Sequence, residues 1–155
     1  MRAVFALAMM VAVARPTLAQ TPRGTVTTIP SADIQALAKT MSSLPGGDQL
    51  LRVLDINNGE YNVGVAVVHR AKAANIQASL GHHQITEIYH IISGSGTMMT
   101  GGSMENAKET ADPNTLSVVG PSVAGGKITG GQSRKIGPGD VVIVPPTTPH
   151  GWIDV

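Results

Sequence analysis

Glycine and proline punctuate this chain too often for it to be built from long helices. Its 155 residues hold eighteen glycines and ten prolines, and such residues mark turns and interrupt regular elements. The apolar residues between them fall in short runs. Residues 50–56 and 61–70 are rich in Val, Leu and Ile and flank Asn57-Asn58-Gly59, a strong hairpin signal. Further strands are expected over 87–92, 97–100 and 132–136. Another is expected at Val141-Val142-Ile143-Val144, between the turn Gly137-Pro138-Gly139-Asp140 and the stop Pro145-Pro146. Four successive apolar residues cannot share one side of a pleat, so this strand is expected to be covered on both faces. Residues 101–130 are polar and glycine-rich and read as a long loop or insertion, with a turn at Asp112-Pro113-Asn114. One helix stands out. Ser31 can cap it, Asp33 suits its positive end, and Ile34, Leu37, Ala38 and Met41 fall on one face before Pro45-Gly46-Gly47. The expected class is all-β with one short N-terminal helix.

The first nineteen residues read differently. Arg2 precedes an apolar run over 3–14, Pro16 breaks it, and Thr17-Leu18-Ala19 offers small residues for cleavage. This is the layout of a secretory signal peptide. The run is short for a bilayer span, which takes about 20 residues. The expectation is an exported protein, periplasmic or secreted, with no stable membrane anchor after cleavage. Residues 20–49 would then form an N-terminal arm and the helix.

Composition excludes several functions. Charged residues make up 14% of the chain, the net charge is +1, and no basic block appears, so no nucleic-acid partner is expected. Loss of Arg2 and Arg15 would shift the net charge from +1 to −1. The absence of cysteine removes disulfides, thiolate metal sites and a cysteine nucleophile together. An exported fold without cysteine must be held by packing or by a bound metal. There is no phosphate-cradling loop, and Gly94-Ser95-Gly96 lacks the spacing of a nucleophile elbow.

The histidines carry the chemical signal. Of five, His82, His83 and His90 lie close together beside Glu87, while His69 and His150 stand apart. Imidazole and carboxylate are ligands for divalent iron, manganese, nickel and zinc. A carboxylate in an apolar strand is costly unless paired or metal-bound, which singles out Glu87. On one continuous strand His83 shares a face with Glu87, and His82 shares the other with His90, unless a turn shifts the parity. A third ligand must come from elsewhere, and His150, after a proline turn, is the natural candidate. His69 and His90 read as surface or hydrogen-bonded residues. Tyr89 and Trp152 read as core or pocket-lining residues, and the pair Met98-Met99 as core filler.

These residues resemble the two motifs of the cupin superfamily, in the order that family has them. His83, three residues, Glu87, six residues and Gly94 match the second half of the first motif, and His82 fits with the alternative four-residue spacing. Gly139, Pro145, Thr147, His150 and Asp154 follow the second, with Thr147 in place of a glycine and Asp154 in place of an asparagine. The resemblance implies a cupin-like double-stranded β-helix, a jelly-roll barrel, over residues 50–155. It implies one divalent metal ion held by His82 or His83, Glu87 and His150. The family's earlier histidine falls on Gly81 or Leu80, so one usual ligand is missing. The family's barrel continues beyond the second motif, so three readings stand open: the N-terminal strands complete the barrel, a partner subunit does, or the barrel is incomplete at its C-terminus. The resemblance also implies a small-molecule ligand or substrate and oxygenase-, isomerase- or lyase-type chemistry. A non-catalytic ligand-binding or dimerisation domain, a homodimer included, is the alternative, and an inactive remnant the third reading.

Overall fold

The computed structural model describes residues 26–56 and 61–155. The signal-peptide reading over 1–19 and the Asn57-Asn58-Gly59 turn lie outside them. The first helix, α1 (Ser31–Met41), buries Met41 and half-buries Ile34, Leu37 and Ala38, the face expected from their spacing. Its N-cap is Pro30 rather than Ser31, and no side chain caps it. Proline's fixed φ suits the approach to a helix, and Ser31 is already inside the first turn.

The helix packs on an antiparallel hairpin of β1 (Gly46–Ile56) and β2 (Tyr61–Arg70). A register shift between Leu50 and Arg52 bulges β1. Arg70 pairs with Asp48 across the open end of the hairpin at 2.5 Å.

The rest of the chain is β-rich. In order come β3 (Ser79–His82), β4 (Glu87–His90), β5 (Gly96–Thr100), β6 (Ser103–Met104), β7 (Lys108–Glu109), α2 (Pro113–Val119), β8 (Ser122–Gly125), β9 (Ile128–Thr129), β10 (Gln132–Ile136), β11 (Val141–Val144) and β12 (His150–Asp154). Six strands form one sheet in the order β10-β5-β12-β3-β8-β7. Strands β11 and β4 form a separate antiparallel pair, as do β6 and β9. The fold is thus all-β in character, built from antiparallel sheets that do not close on one another. Met98 of β5, Ile128, Ile136 and Val144 supply the buried apolar core of this region.

Two expectations fail here. Residues 101–130 are not a long loop, for they hold four short strands and a helix. The Asp112-Pro113 pair read as a turn starts α2. Its Asp112 carboxylate accepts from the Thr115 N–H at 2.8 Å, with Pro113 in the first turn, the ordinary chemistry of a helix start. Strand β11 is not covered on both faces either. Val144 is 3% exposed, but Val141 is 59% and Ile143 63% exposed. It pairs with β4, whose Ile88 shares that open outer face, while Tyr89 and Glu87 lie opposite Val142 and Val144 on the inner one.

Gly96 is imposed by close approach. A Cβ on Gly96 would lie 2.5 Å from the Asp154 carbonyl and 3.0 Å from the Trp152 ring, because β12 bulges between Trp152 and Asp154.

Candidate metal centre

Three chain segments meet between the six-stranded sheet and the β4–β11 pair. His82 ends β3, Glu87 begins β4, and His150 begins β12. Their donor atoms lie within 4.8 Å of one another. The Glu87 Oε2 atom is 2.9 Å from His150 Nε2 and 3.4 Å from His82 Nε2. The two imidazole rings sit 5.2 Å apart, centre to centre. His82 is 4% and His150 5% exposed, so bulk water does not stand in for a partner.

Backbone bonds clamp the cluster. The Thr147 N–H donates to the His82 carbonyl at 2.7 Å, and the His83 N–H to the Pro121 carbonyl at 3.1 Å. The turn that delivers His150 is therefore stitched to the end of the strand that delivers His82. Thr147 adopts φ +62°, the left-handed region that β-branched residues rarely enter. This is the position where the motif has glycine.

The outer nitrogens of both rings are spoken for. His150 Nδ1 lies 3.0 Å from the Thr148 carbonyl, which can only accept, so Nδ1 carries the proton. Ser122 Oγ donates to the Gly120 carbonyl at 2.8 Å and lies 2.7 Å from His82 Nδ1. Its hydroxyl proton is committed, so His82 Nδ1 also donates. In neutral rings both Nε2 atoms are then bare lone pairs aimed at a carboxylate. Oε2 of Glu87 is buried and finds no hydrogen-bond donor while both rings are neutral, despite the nitrogen 2.9 Å away. Three acceptors converging on one point repel unless a proton or a cation lies between them. The donor set and the orphaned oxygen fit a divalent ion, with Ser122 and the Thr148 carbonyl as the outer partners that orient metal-binding imidazoles.

Without an ion, a proton takes that role. Burial alone pushes the Glu87 carboxyl up, but hydrogen bonding to His150 and then His82, with their charge, outweighs it and holds the group well below the ordinary range. Burial pushes His150 down, but its bonds to Glu87 and the Thr148 carbonyl outweigh that and raise it. Tyr89 lies two residues along β4 on the same face as Glu87. Burial first, and then the Glu87 carboxylate, push its phenol well above the usual range, so it stays a proton donor.

The remaining candidates fall outside the cluster. His83 Nε2 bonds both carboxylate oxygens of Glu109 at 3.0 Å near the surface. Of the two adjacent histidines, His82 is the one that reaches Glu87. The parity that put His83 with Glu87 assumes one continuous strand. The chain instead turns between β3 and β4, which lie in different sheets. His90 is exposed on the outer face of β4. The Tyr89 ring meets His150 edge-on at 6.4 Å, and Trp152 lines a small cavity of about 70 Å³.

A larger cavity, about 420 Å³, lies beside the cluster between the six-stranded sheet and β11. The three ligands are not in its wall, but their neighbours are. Thr100 stands opposite His150 and Val144 opposite Glu87 in the strand registers, and Thr148 is the residue whose carbonyl holds His150. Sequence reasoning missed Ser122, because only the pairing of β3 with β8 brings it to His82. Compared with protein-family models, curated proteins and solved structures, the chain matches none.

Proposed function

We propose that this is an exported, cupin-type protein that binds one divalent metal ion through His82, Glu87 and His150, and through it a small organic molecule. The observation that carries the reading is the convergence of two bare Nε2 atoms on an unpartnered, buried carboxylate oxygen. Two histidines and one carboxylate are the ligand set of non-haem iron sites, and iron, manganese, nickel and zinc all accept it. Three protein ligands leave coordination positions open. An ion there supplies Lewis-acid polarisation of an oxygen-bearing ligand or activation of a small molecule. Leu80, on the same strand as His82 and paired with His150, provides no donor where the cupin motif has its earlier histidine. The cavity beside the cluster has a volume in the range of small-molecule sites. The motif order supports the cupin relationship. The leader-like residues 1–19 support export.

The test is a cobalt(II) titration of the metal-free protein followed by visible absorption. The expected result is saturation at about one equivalent, with a spectrum of a low-symmetry nitrogen and oxygen site. Abolition of the signal in His82→Ala and in His150→Ala, and its retention in His83→Ala, assigns the ligands. A titration with no specific absorption from a folded sample overturns the reading in favour of a metal-free binding domain.

A further inference from the structure

We infer that the 420 Å³ cavity is built for a small carboxylate with an apolar body, and that Arg134 holds its anionic end. As a statement about substrate, this rests on the metal-centre reading above. As a statement about the cavity, it stands on three other observations.

The first is the wall. Met98, Ile136, Val142 and Val144 give it apolar wall beside a polar part of similar extent, and Met98, Ile136 and Val144 are otherwise buried. Such a surface accepts a hydrocarbon body. The second is charge. Arg134, Lys135 and Asp140 are the ionisable residues of the wall, and of the two adjacent cations only Arg134 shares the face of Met98, Lys135 standing opposite Thr97. Asp140 accepts from the Gly137 N–H at 2.8 Å within the turn before β11. Neither Arg134 nor Lys135 has an ion pair among the described residues. The third is register. Arg134 stands opposite Met98, and Met98 opposite Trp152, two residues along β12 from His150. Paired residues point to the same side of a sheet, so Arg134 lies on the sheet face that carries Met98, Thr100 and His150. An arginine at that edge presents a planar fork of donors suited to a carboxylate. A ligand whose carboxylate meets Arg134 would lie along apolar wall with its other end toward the cluster.

The test uses benzoate and hexanoate as probes, with benzamide and hexanamide as neutral isosteres. Each is titrated by calorimetry into wild type and Arg134→Gln, metal-free and zinc-loaded. The expected result is that the carboxylates bind wild type at least about ten-fold tighter than the amides. Arg134→Gln should remove that preference and leave amide binding, the melting temperature and zinc stoichiometry unchanged. Equal binding of acids and amides overturns the inference, as does no binding of any probe. A preference that survives Arg134→Gln but disappears without zinc also overturns it, because the ion then holds the carboxylate. Failure to bind zinc with the Arg134-dependent preference intact would sink the metal reading alone.

Discussion

The Ser122 hydroxyl stands 2.7 Å from His82 Nδ1 and donates its own hydrogen bond to the Gly120 carbonyl at 2.8 Å. That chain of two bonds fixes which nitrogen of His82 is protonated and leaves Nε2 bare toward Glu87. Ser122 is wholly buried, so water cannot replace it. Ser122→Ala should therefore weaken metal binding by about 10–100-fold while keeping all three ligands. Calorimetric titration with zinc measures it. Unchanged affinity would show that the ring needs no outer partner.

Glu87 supplies the only anionic donor in the cluster. Glu87→Gln keeps size and shape but removes the charge, and should lower metal affinity by an order of magnitude or more. His90→Ala, three residues along the same strand but on its exposed outer face, should leave affinity unchanged. A loss of metal in His90→Ala would mean that β4 is placed in the wrong register.

Thr147 sits at φ +62° in the turn that joins His82 to His150. Thr147→Gly should relieve backbone strain that is worth about 1–3 kcal/mol, less the added flexibility of glycine in the unfolded chain. The expected net gain in stability is roughly 1 kcal/mol, read from urea unfolding of metal-free protein. A loss of stability would show that the threonine side chain contributes more than its backbone costs.

The metal-free protein should have a definite pH optimum. Glu87's carboxyl is held below its ordinary 4.5 by folding, so its contribution is present above that pH and lost as pH falls further. His150 is raised above its ordinary 6.5, so its contribution is present below that pH and lost as pH rises through the raised value. The joint contribution is full between these two ordinary values. Denaturation in chelator should show stability declining above pH 6.5, with the decline reduced in Glu87→Gln. Stability rising steadily from pH 6.5 to 8.5 would contradict the pairing.

Much of the site was legible in the sequence, and its limits have physical causes. Glu87 stood out because a carboxylate among apolar strand residues needs a partner. His150 stood out because a proline turn ends just before it. Choosing between His82 and His83 required knowing that the chain changes sheets between β3 and β4, which strand parity cannot reveal. Strand β3 itself, Ser-Leu-Gly-His, carries one large apolar residue and no alternation. It exists through its ladder with β8, a partner forty residues away. The four-valine-like run of β11 misled in the other direction. Its composition suits a strand with two covered faces, yet only one face meets the rest of the described protein.

The central claim is that one metal ion sits among His82, Glu87 and His150. The most direct measurement is elemental analysis of residues 20–155, expressed as a separate chain and purified without chelators or a metal-affinity tag, beside the same chain carrying Glu87→Gln. The account predicts about one equivalent of iron, manganese, nickel or zinc per chain, and a marked loss in the variant. A folded wild-type sample that holds no metal, even after reloading, would contradict it.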